Sequence, residues 1–373
     1  MDKKFVMGIA AMAALTLVSC SSDDLDSFSD NSSKNEAISF DGYLGRSAVA
    51  VNGTRGSVET AETLKKEGFG VFSKYTGSAS FPDFDNQKVT YSDSKWTYTP
   101  LKFWPANGEI NFLAYAPYNY DGTNTKLTGT SISFNVDKTA ANQKDLLWTN
   151  AKGQITADFA STKAQVKFQF HHALSRLGYT VKLSGDYPSK DVTFTLKKIT
   201  LAGSPDEKTE AFYTNGTIDL AKTNTENGLW KTVGNKQNFT WFDAGDQTVN
   251  ITYVDPSKPE EKPVSNKDYL FVIPQNFSEK IEDASGQQKE NPDKLYVIVE
   301  YEINYKSGTP STIPNKVYKQ ITPNFLQGKA YMLNLTIGRP IEFDVNLTNG
   351  VDDWGTENGI NIGSDGNLWD GIE

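Results

Sequence analysis

Apolar residues recur at every second position through most of the chain, the spacing typical of strands with one buried face. Clusters of Gly, Pro, Asn and Asp separate these runs and predict turns. One pair of runs flanks a polar Ser-Asp-Ser-Lys turn, which predicts a hairpin. The runs comprise Ile38, Phe40 and Leu44; Val89 and Tyr91; Trp96 and Tyr98; Val166, Phe168 and Phe170; Val192, Phe194 and Leu196; the alternate residues of 295–305; Tyr331, Leu333, Leu335 and Ile337; and Ile341, Phe343, Val345 and Leu347.

Helical signals are confined to one short segment. Residues 59–67 carry acidic residues early and Lys65 and Lys66 late, and Gly68 provides a stop. Many short strands with so little helix predict an all-β chain built from sandwiches. The length of 373 residues suits two domains of ordinary size. A new alternation begins at Leu177, after His171-His172-Ala173, so we place the join near residue 170 and predict an N-terminal domain over 36–170 and a C-terminal domain over 171–373.

The N-terminus carries the pattern of an exported lipoprotein. Lys3 and Lys4 precede an apolar run of about 14 residues, the length of a signal-peptide core and too short to span a bilayer. The run ends in Leu-Val-Ser-Cys, which is typical of a lipobox and predicts an acylated, palmitate-bearing Cys20 after removal of residues 1–19. Residues 20–35 are polar and acidic, which predicts a disordered tether. We therefore expect a surface-exposed lipoprotein of the outer membrane.

Composition argues against several functions. The formal net charge is −9, which disfavours a nucleic-acid partner. Only His171 and His172 are available as histidines, and Cys20 is the only cysteine, so a zinc site or a serine nucleophile with a histidine base is not expected. Adjacent strand residues face opposite sides, so we expect at most one of the two histidines in the core. We predict no catalytic residue, no metal and no cofactor.

Three weaker signals remain. Residues 363–370 have some features of a calcium loop but place Trp369 where an oxygen ligand belongs. Trp96, Trp104 and Trp241 suggest a sugar-binding platform, although large aromatics in an all-β protein are more often core. Pairs of carboxylates that could serve glycoside hydrolysis are numerous, but the sequence singles out none.

Several segments, in order along the chain, carry a resemblance to a known family. They are FGVFSKY from Phe69, KFWPANGEINFLAYAPY from Lys102, DLLWT from Asp145, KFQFHHALSRLGYTVKL from Lys167, YLFVIPQNF from Tyr269 and GKAYMLNLTI from Gly328. Together, behind a lipobox, they resemble the fimbrillin and Mfa-like proteins of Bacteroidales. The resemblance implies two tandem transthyretin-like (Ig-like) β-sandwich domains and a role as a structural or adhesive subunit of a type V pilus.

The resemblance also implies a mode of assembly. An arginine-specific protease cuts such subunits after the first strand, and a C-terminal strand of another subunit fills the groove that is left. Here the displaced strand would present Ile38, Phe40 and Leu44. Arg55, in Thr-Arg-Gly, is the favoured cleavage site and Arg46 the second. Both arginines could instead be solvated residues of an uncut anchor or tip subunit.

The sequence leaves the donor strand and the alternative function open. The donor strand could be the run Ile341, Phe343, Val345 and Leu347, or the tail with Ile360, Ile362, Leu368 and Trp369. The expected partners are other pilus subunits, the outer membrane through the lipid, and a surface receptor or glycan. The alternative function is a monomeric surface lipoprotein that binds glycans through exposed aromatic side chains.

Overall fold

The structure is a computed structural model that describes residues 37–44, 58–155, 165–184, 191–223, 229–232, 234–338 and 343–352. Almost all of its regular structure is β, which confirms the predicted fold class. The described strands are β1 (Phe40–Leu44), β2 (Phe69–Thr76), β3 (Gln87–Ser92), β4 (Lys95–Thr97), β5 (Glu109–Ala116), β6 (Ser131–Asn135), β7 (Leu147–Ile155), β8 (Val166–His172), β9 (Ser175–Leu183), β10 (Val192–Ala202), β11 (Phe212–Tyr213), β12 (Asn215–Asp219), β13 (Trp230–Thr232), β14 (Lys236–Gln237), β15 (Phe239–Asp243), β16 (Val249–Ile251), β17 (Val264–Ser265), β18 (Leu270–Val272), β19 (Gln275–Asn276), β20 (Lys280–Glu282), β21 (Gln288–Glu290), β22 (Leu295–Tyr305), β23 (Ser311–Ile321), β24 (Asn324–Phe325), β25 (Lys329–Ile337) and β26 (Phe343–Asp352).

The local predictions for helix and hairpin are confirmed. Helix α1 (Ala61–Glu67) begins after Thr60, whose side chain forms a capping box with Thr63. It ends at Gly68, whose φ of 75° suits glycine and whose added Cβ would lie 2.4 Å from the Val89 carbonyl oxygen. A 3₁₀ turn covers Ala140–Asn142. No α-helix in the described ranges has the length and apolar character needed to cross a bilayer.

Three large sheets organise the described strands. The seven-stranded sheet has the order β1-β8-β7-β5-β2-β3-β4. A second sheet has the order β15-β10-β22-β23, with β16 also paired to β10, and a third has the order β17-β9-β25-β26, with β18 also paired to β9. The predicted hairpin is β3 and β4, and its turn residues Asp93 and Ser94 have the positive φ angles that suit a tight hairpin turn.

Two hydrophobic cores lie on opposite faces of the seven-stranded sheet. The first core consists of Ile38, Phe40, Leu44, Leu64, Phe69, Val71, Phe84, Val89, Trp96, Tyr98, Trp104, Ile110, Phe112, Ala114, Ala116, Leu147, Val166, Phe168 and Phe170. The second core is formed mainly by buried side chains of β9, β10, β22 and β25. Strand β5 serves both, because Phe112 faces the first core while Leu113 and Tyr115 face the second.

The predicted division near residue 170 stays a prediction. The first core draws its residues from 38–170, in keeping with that boundary. However, β6 pairs with β12 over five residue pairs, from Asn135 opposite Asn215 to Ser131 opposite Asp219. Strands from the two sides of residue 170 therefore share a sheet.

Candidate functional site: the first-strand groove

Strand β1 lies at one edge of the seven-stranded sheet and pairs with β8 in parallel. The register places Phe40 opposite Val166, Gly42 opposite Phe168 and Leu44 opposite Phe170. The amide of Val166 donates to the Ser39 carbonyl oxygen at 2.9 Å. We call the surface that β1 covers, between β8 and residues 96–103, the first-strand groove.

The far side of β1 is closed by residues 96–103. The Ile38 amide donates to the Lys102 carbonyl oxygen at 2.8 Å. Trp96 Nε1 donates to the Gly42 carbonyl oxygen at 3.0 Å, and the Tyr98 hydroxyl donates to the Ile38 carbonyl oxygen at 2.8 Å. Burial raises the pKa of Tyr98 to about 12, so its hydroxyl keeps the donated proton at physiological pH. All three contacts are made to backbone atoms of Ile38 and Gly42, so any strand of the same shape could make them.

The floor of the groove is aromatic. The Phe40 ring stacks on Phe168 at a centroid distance of 5.4 Å and meets Phe84 and Phe112 edge to face, both at 5.5 Å. Its side chain is 1% exposed. Edge-to-face and offset ring pairs add to the free energy of simple burial, so Phe40 is the main anchor of β1.

Gly42 is the tightest point of the groove. A Cβ at this position would lie 3.0 Å from Phe69 Cε1 and 3.4 Å from Phe170 Cε2. The absence of a side chain lets the Phe69 ring cover the strand. An occupant of the groove therefore fits best with a glycine here, because a Cβ would make the Phe69 ring shift by a few tenths of an ångström.

We expect Gly42→Val to lower the free energy of unfolding by about 1–3 kcal/mol, because the added methyl groups overpack the Phe69 and Phe170 rings. Urea unfolding followed by tryptophan fluorescence measures the change. Gly129→Val is not a suitable control because Gly129 has a positive φ. Asp41→Val, on the outer face of the same strand, should have a much smaller effect; equal losses for the two variants would contradict the tight fit at Gly42.

The structure buries all three residues predicted for the first strand. Ile38, Phe40 and Leu44 are 1%, 1% and 7% exposed and belong to the first core. Their displacement stays a prediction. Cys20, Arg46 and Arg55 lie outside the described residues, as does the calcium-loop candidate at 363–370.

The candidate donor run is already part of a sheet. Strand β26 pairs antiparallel with β25, with Phe343 opposite Ile337, Val345 opposite Leu335 and Leu347 opposite Leu333. Val345 and Leu347 are 1% and 7% exposed in the second core, while Ile341 and the tail beyond 352 lie outside the described residues. To act as a donor, this strand would have to leave its own ladder.

The three tryptophans do not form an exposed platform, so the sugar-binding interpretation of them is wrong. Trp96 and Trp104 lie in the first core and Trp241 in the second, at 8%, 1% and 8% exposure. Tyr318, an exposed ring, meets Tyr296 at an interplanar angle of 68°, far from coplanar. The described residues contain no group of three or more His, Cys, Asp or Glu side chains placed to hold a metal ion.

A buried polar cluster lies around Glu59, close to the start of the described range 58–155. Asp145, which is fully buried, accepts the Glu59 amide at 2.8 Å and lies 3.0 Å from His172 Nδ1. Thr63 donates its hydroxyl proton to the Glu59 carboxylate at 2.8 Å. His172 is 2% exposed and His171 half-buried, which confirms that only one of the pair faces the core. We call Glu59, Asp145 and His172 the junction cluster.

The junction cluster predicts a pH-dependent stability. Burial, followed by the charges of Asp145 and Glu67, raises the pKa of Glu59 from 4.5 to about 8. Because the folded pKa exceeds the unfolded one, the stabilisation from this proton is complete below pH 4.5 and is lost as pH rises through about 8. We expect Glu59→Gln to remove this component from urea unfolding midpoints measured between pH 5 and 8. Glu62→Gln, on α1, should keep it, and an unchanged profile for Glu59→Gln would contradict the assignment.

Sequence reasoning missed three features of the site. It did not foresee that Trp96 and Tyr98 hold the backbone of β1, that Gly42 is a packing requirement, or that Asp145 joins His172 to Glu59. The alternation of Trp96 and Tyr98 correctly put both side chains on one face, but it carried no information about their partner. The glycine at position 42 is a visible interruption of the apolar face of β1 and was the available signal.

Comparison with known proteins places this fold in a family. Residues 54–354 match the Fimbrillin-like family model. The chain is 34% identical over 203 residues to the fimbrium subunit Fim1C of Phocaeicola vulgatus, which covers 48% of this chain and 51% of the relative. The chain thus spans about half the length of the curated relative it matches.

A solved structure agrees with the fold. A fimbrial protein from Bacteroides vulgatus superposes with a TM-score of 0.59 at 19% identity, covering 86% of this chain and 100% of that one. At this identity the likeness concerns the fold alone. The resemblance predicted from the motifs is confirmed, and because the family model spans most of its length, this chain belongs to the fimbrillin-like family.

Proposed function

We propose that this chain is a structural or adhesive pilus subunit, assembled by strand complementation after an arginine-specific protease removes β1. The observation that carries the proposal is the first-strand groove. Strand β1 fills an apolar groove at a sheet edge, and its backbone is held by contacts that another strand could make. The family match and the fimbrium subunit among the relatives support the same function.

The free energy of apolar burial favours a groove that another strand has filled over an empty one. Burial of Ile38, Phe40 and Leu44 contributes roughly 4–9 kcal/mol. Loss of β1 would expose that apolar surface together with one edge of β8, whose unpaired backbone groups are a template for another strand. An incoming strand with the same period would bury the apolar surface again and pair with the exposed backbone edge of β8. Each subunit would then serve the next in an open head-to-tail chain.

The arginine positions suit a single processing region. The chain has four arginines, and Arg46 and Arg55 both fall between β1 and Val58. Arg176 is 1% exposed, and Arg339 precedes Pro340, a bond that most endoproteases cut poorly. An arginine-specific protease would therefore act on the folded protein mainly between β1 and the rest of the chain.

Export as a lipoprotein completes the proposal. Acylation at Cys20 and the acidic stretch 20–35 would carry the precursor to the surface of the outer membrane, and cleavage after Arg46 or Arg55 would release it from the lipid. The mature subunit would then belong to the fimbrium.

Limited proteolysis tests the proposal. The protein without its lipid is treated with an arginine-specific protease and followed by mass spectrometry and size-exclusion chromatography. We expect cleavage after Arg55 or Arg46 and higher oligomers that the uncut protein does not form. Arg46→Lys combined with Arg55→Lys is the matched control and should stay uncut and monomeric. A cleaved protein that remains monomeric at high concentration would overturn strand exchange.

A further inference from the structure

The segment 38–44, which contains β1, has two partial copies near the C-terminus. Residues 38–44 read ISFDGYL, residues 341–347 read IEFDVNL, and residues 362–368 read IGSDGNL. All three share Ile, Asp and Leu at the first, fourth and seventh positions. Each copy keeps four of the seven residues of 38–44, and we call the segments 341–347 and 362–368 the heptad copies.

The first-strand groove restricts which side chains fit at each position of the seven-residue segment 38–44. The inner face needs apolar ends, a large ring at Phe40 and no side chain at Gly42. On the outer face, the register places Asp41 opposite Lys167, a residue of opposite charge. Tyr43 lies opposite Gln169, and its hydroxyl is 3.4 Å from the Gln169 side-chain oxygen.

The copy at 362–368 meets most of these requirements. Ile362 and Leu368 would take the two ends, and Gly366 would fall at the tight position of Gly42. On the outer face Asp365 would lie opposite Lys167, and Asn367 opposite Gln169 could form an amide hydrogen bond. The one inner mismatch is a serine at the position of Phe40.

The copy at 341–347 fits the groove less well at its tightest point. It supplies Phe343 at the position of Phe40 but puts Val345 where Gly42 stands. Its residues from Phe343 onward are also engaged with β25, and Val345 and Leu347 are buried in the second core. Donation of this copy would leave those positions of the second core open.

We propose that residues 362–368 of a second copy of this chain occupy the first-strand groove, parallel to β8, with Gly366 at the position of Gly42. The inference rests on the proposed function and names its donor and register. Ser364 leaves the Phe40 site underfilled, so β1 outcompetes the tail while it is covalently attached. Cleavage removes that advantage, because β1 then dissociates and dilutes.

Two glycine substitutions in the tail test the register. Gly366→Val would aim a branched side chain at the Phe69 and Phe170 rings, whereas Gly363→Val falls at the outward position of Ser39. The two changes are chemically identical and only three residues apart. After arginine-specific cleavage, we expect oligomers from the wild type and from Gly363→Val, and at least a tenfold loss of oligomer from Gly366→Val by size-exclusion chromatography.

The other outcomes separate the register from strand exchange itself. Equal amounts of oligomer from both variants would overturn the placement of Gly366 at the position of Gly42 but leave strand exchange intact. The donor would then be sought in residues 341–347. Loss of oligomer in Gly363→Val alone would also overturn it, since the opposite face would then point inward. A wild type that is cleaved but never oligomerises would overturn the proposed function and this inference together.

A gain-of-function variant gives an independent readout. Ser364→Phe restores the ring missing from the heptad copy and should fill the Phe40 site of the acceptor. We expect the concentration needed for half-maximal assembly after cleavage to fall roughly tenfold or more. Asp365→Phe, on the outer face, is the control and should not strengthen assembly. A Ser364→Phe variant that assembles like the wild type would contradict the register.

Discussion

Phe40→Ala is expected to lower the free energy of unfolding of the intact protein by about 3–5 kcal/mol. The side chain is 1% exposed and lies within 5.6 Å of four aromatic rings, those of Phe84, Tyr98, Phe112 and Phe168. These rings belong to different strands and loops and cannot close together over the space that is left. The loss should therefore include a cavity contribution as well as the transfer free energy.

A neighbouring residue of β1 provides the control for this experiment. Tyr43 is 46% exposed and points away from the core, so Tyr43→Ala should change the free energy of unfolding by no more than about 0.5 kcal/mol. Urea unfolding monitored by circular dichroism measures both variants. Similar values for the two would mean that β1 is not anchored through its inner face.

Asp145→Ala is the second change with a large expected effect, again about 3–5 kcal/mol of unfolding free energy. The carboxylate is fully buried and satisfies two donors from distant parts of the chain, the Glu59 amide and the His172 ring. Its removal would leave both groups buried without this acceptor, and an unpaired buried polar group costs about 1–3 kcal/mol. The junction cluster would lose its central member.

The exposed Asp85 offers a matched control for Asp145. Asp85→Ala should change stability by at most about 0.5 kcal/mol, since surface substitutions away from special features have small effects. Thermal and urea unfolding of both variants at pH 7 provide the comparison. A value below 1 kcal/mol for Asp145→Ala would show that the junction cluster contributes little to stability.

The strands with one buried face were the most predictable part of the fold. The alternation over 295–305 predicts β22 with both of its ends, and the alternations at Val166 and Tyr331 predict β8 and β25. Each follows from the two-residue period of a strand over a single core. The helix before Gly68 was predictable for a similar reason, because its capping residues are local in sequence.

In strand β5 the two-residue alternation of apolar and polar side chains breaks down. Its segment EINFLAYA is buried on both faces because the seven-stranded sheet separates two cores. A strand covered on both sides has no polar face to mark the pattern. The sequence alone could therefore indicate a strand there but not that two cores meet across it.

In the candidate site, only the inner residues of the first strand could be predicted from the sequence. Its inner residues Ile38, Phe40 and Leu44 followed from alternation, whereas the partners did not. The Trp96–Gly42 and Tyr98–Ile38 hydrogen bonds join residues more than fifty positions apart, and the Asp145–Glu59 bond spans 86 positions. Such pairings depend on how the strands are ordered in the sheet, which a local pattern does not encode.

The most direct test of the central claim is whether an external strand can refill the first-strand groove. The protein is cleaved by an arginine-specific protease and incubated with a fluorescent peptide of residues 36–46, or with the same peptide carrying Phe40→Asp. Fluorescence anisotropy and size-exclusion chromatography then follow binding and assembly. We predict that the native peptide binds the cleaved protein and suppresses its oligomers, whereas the Phe40→Asp peptide does neither. Equal behaviour of the two peptides, or binding of the native peptide to uncut protein as well, would contradict strand complementation at this groove.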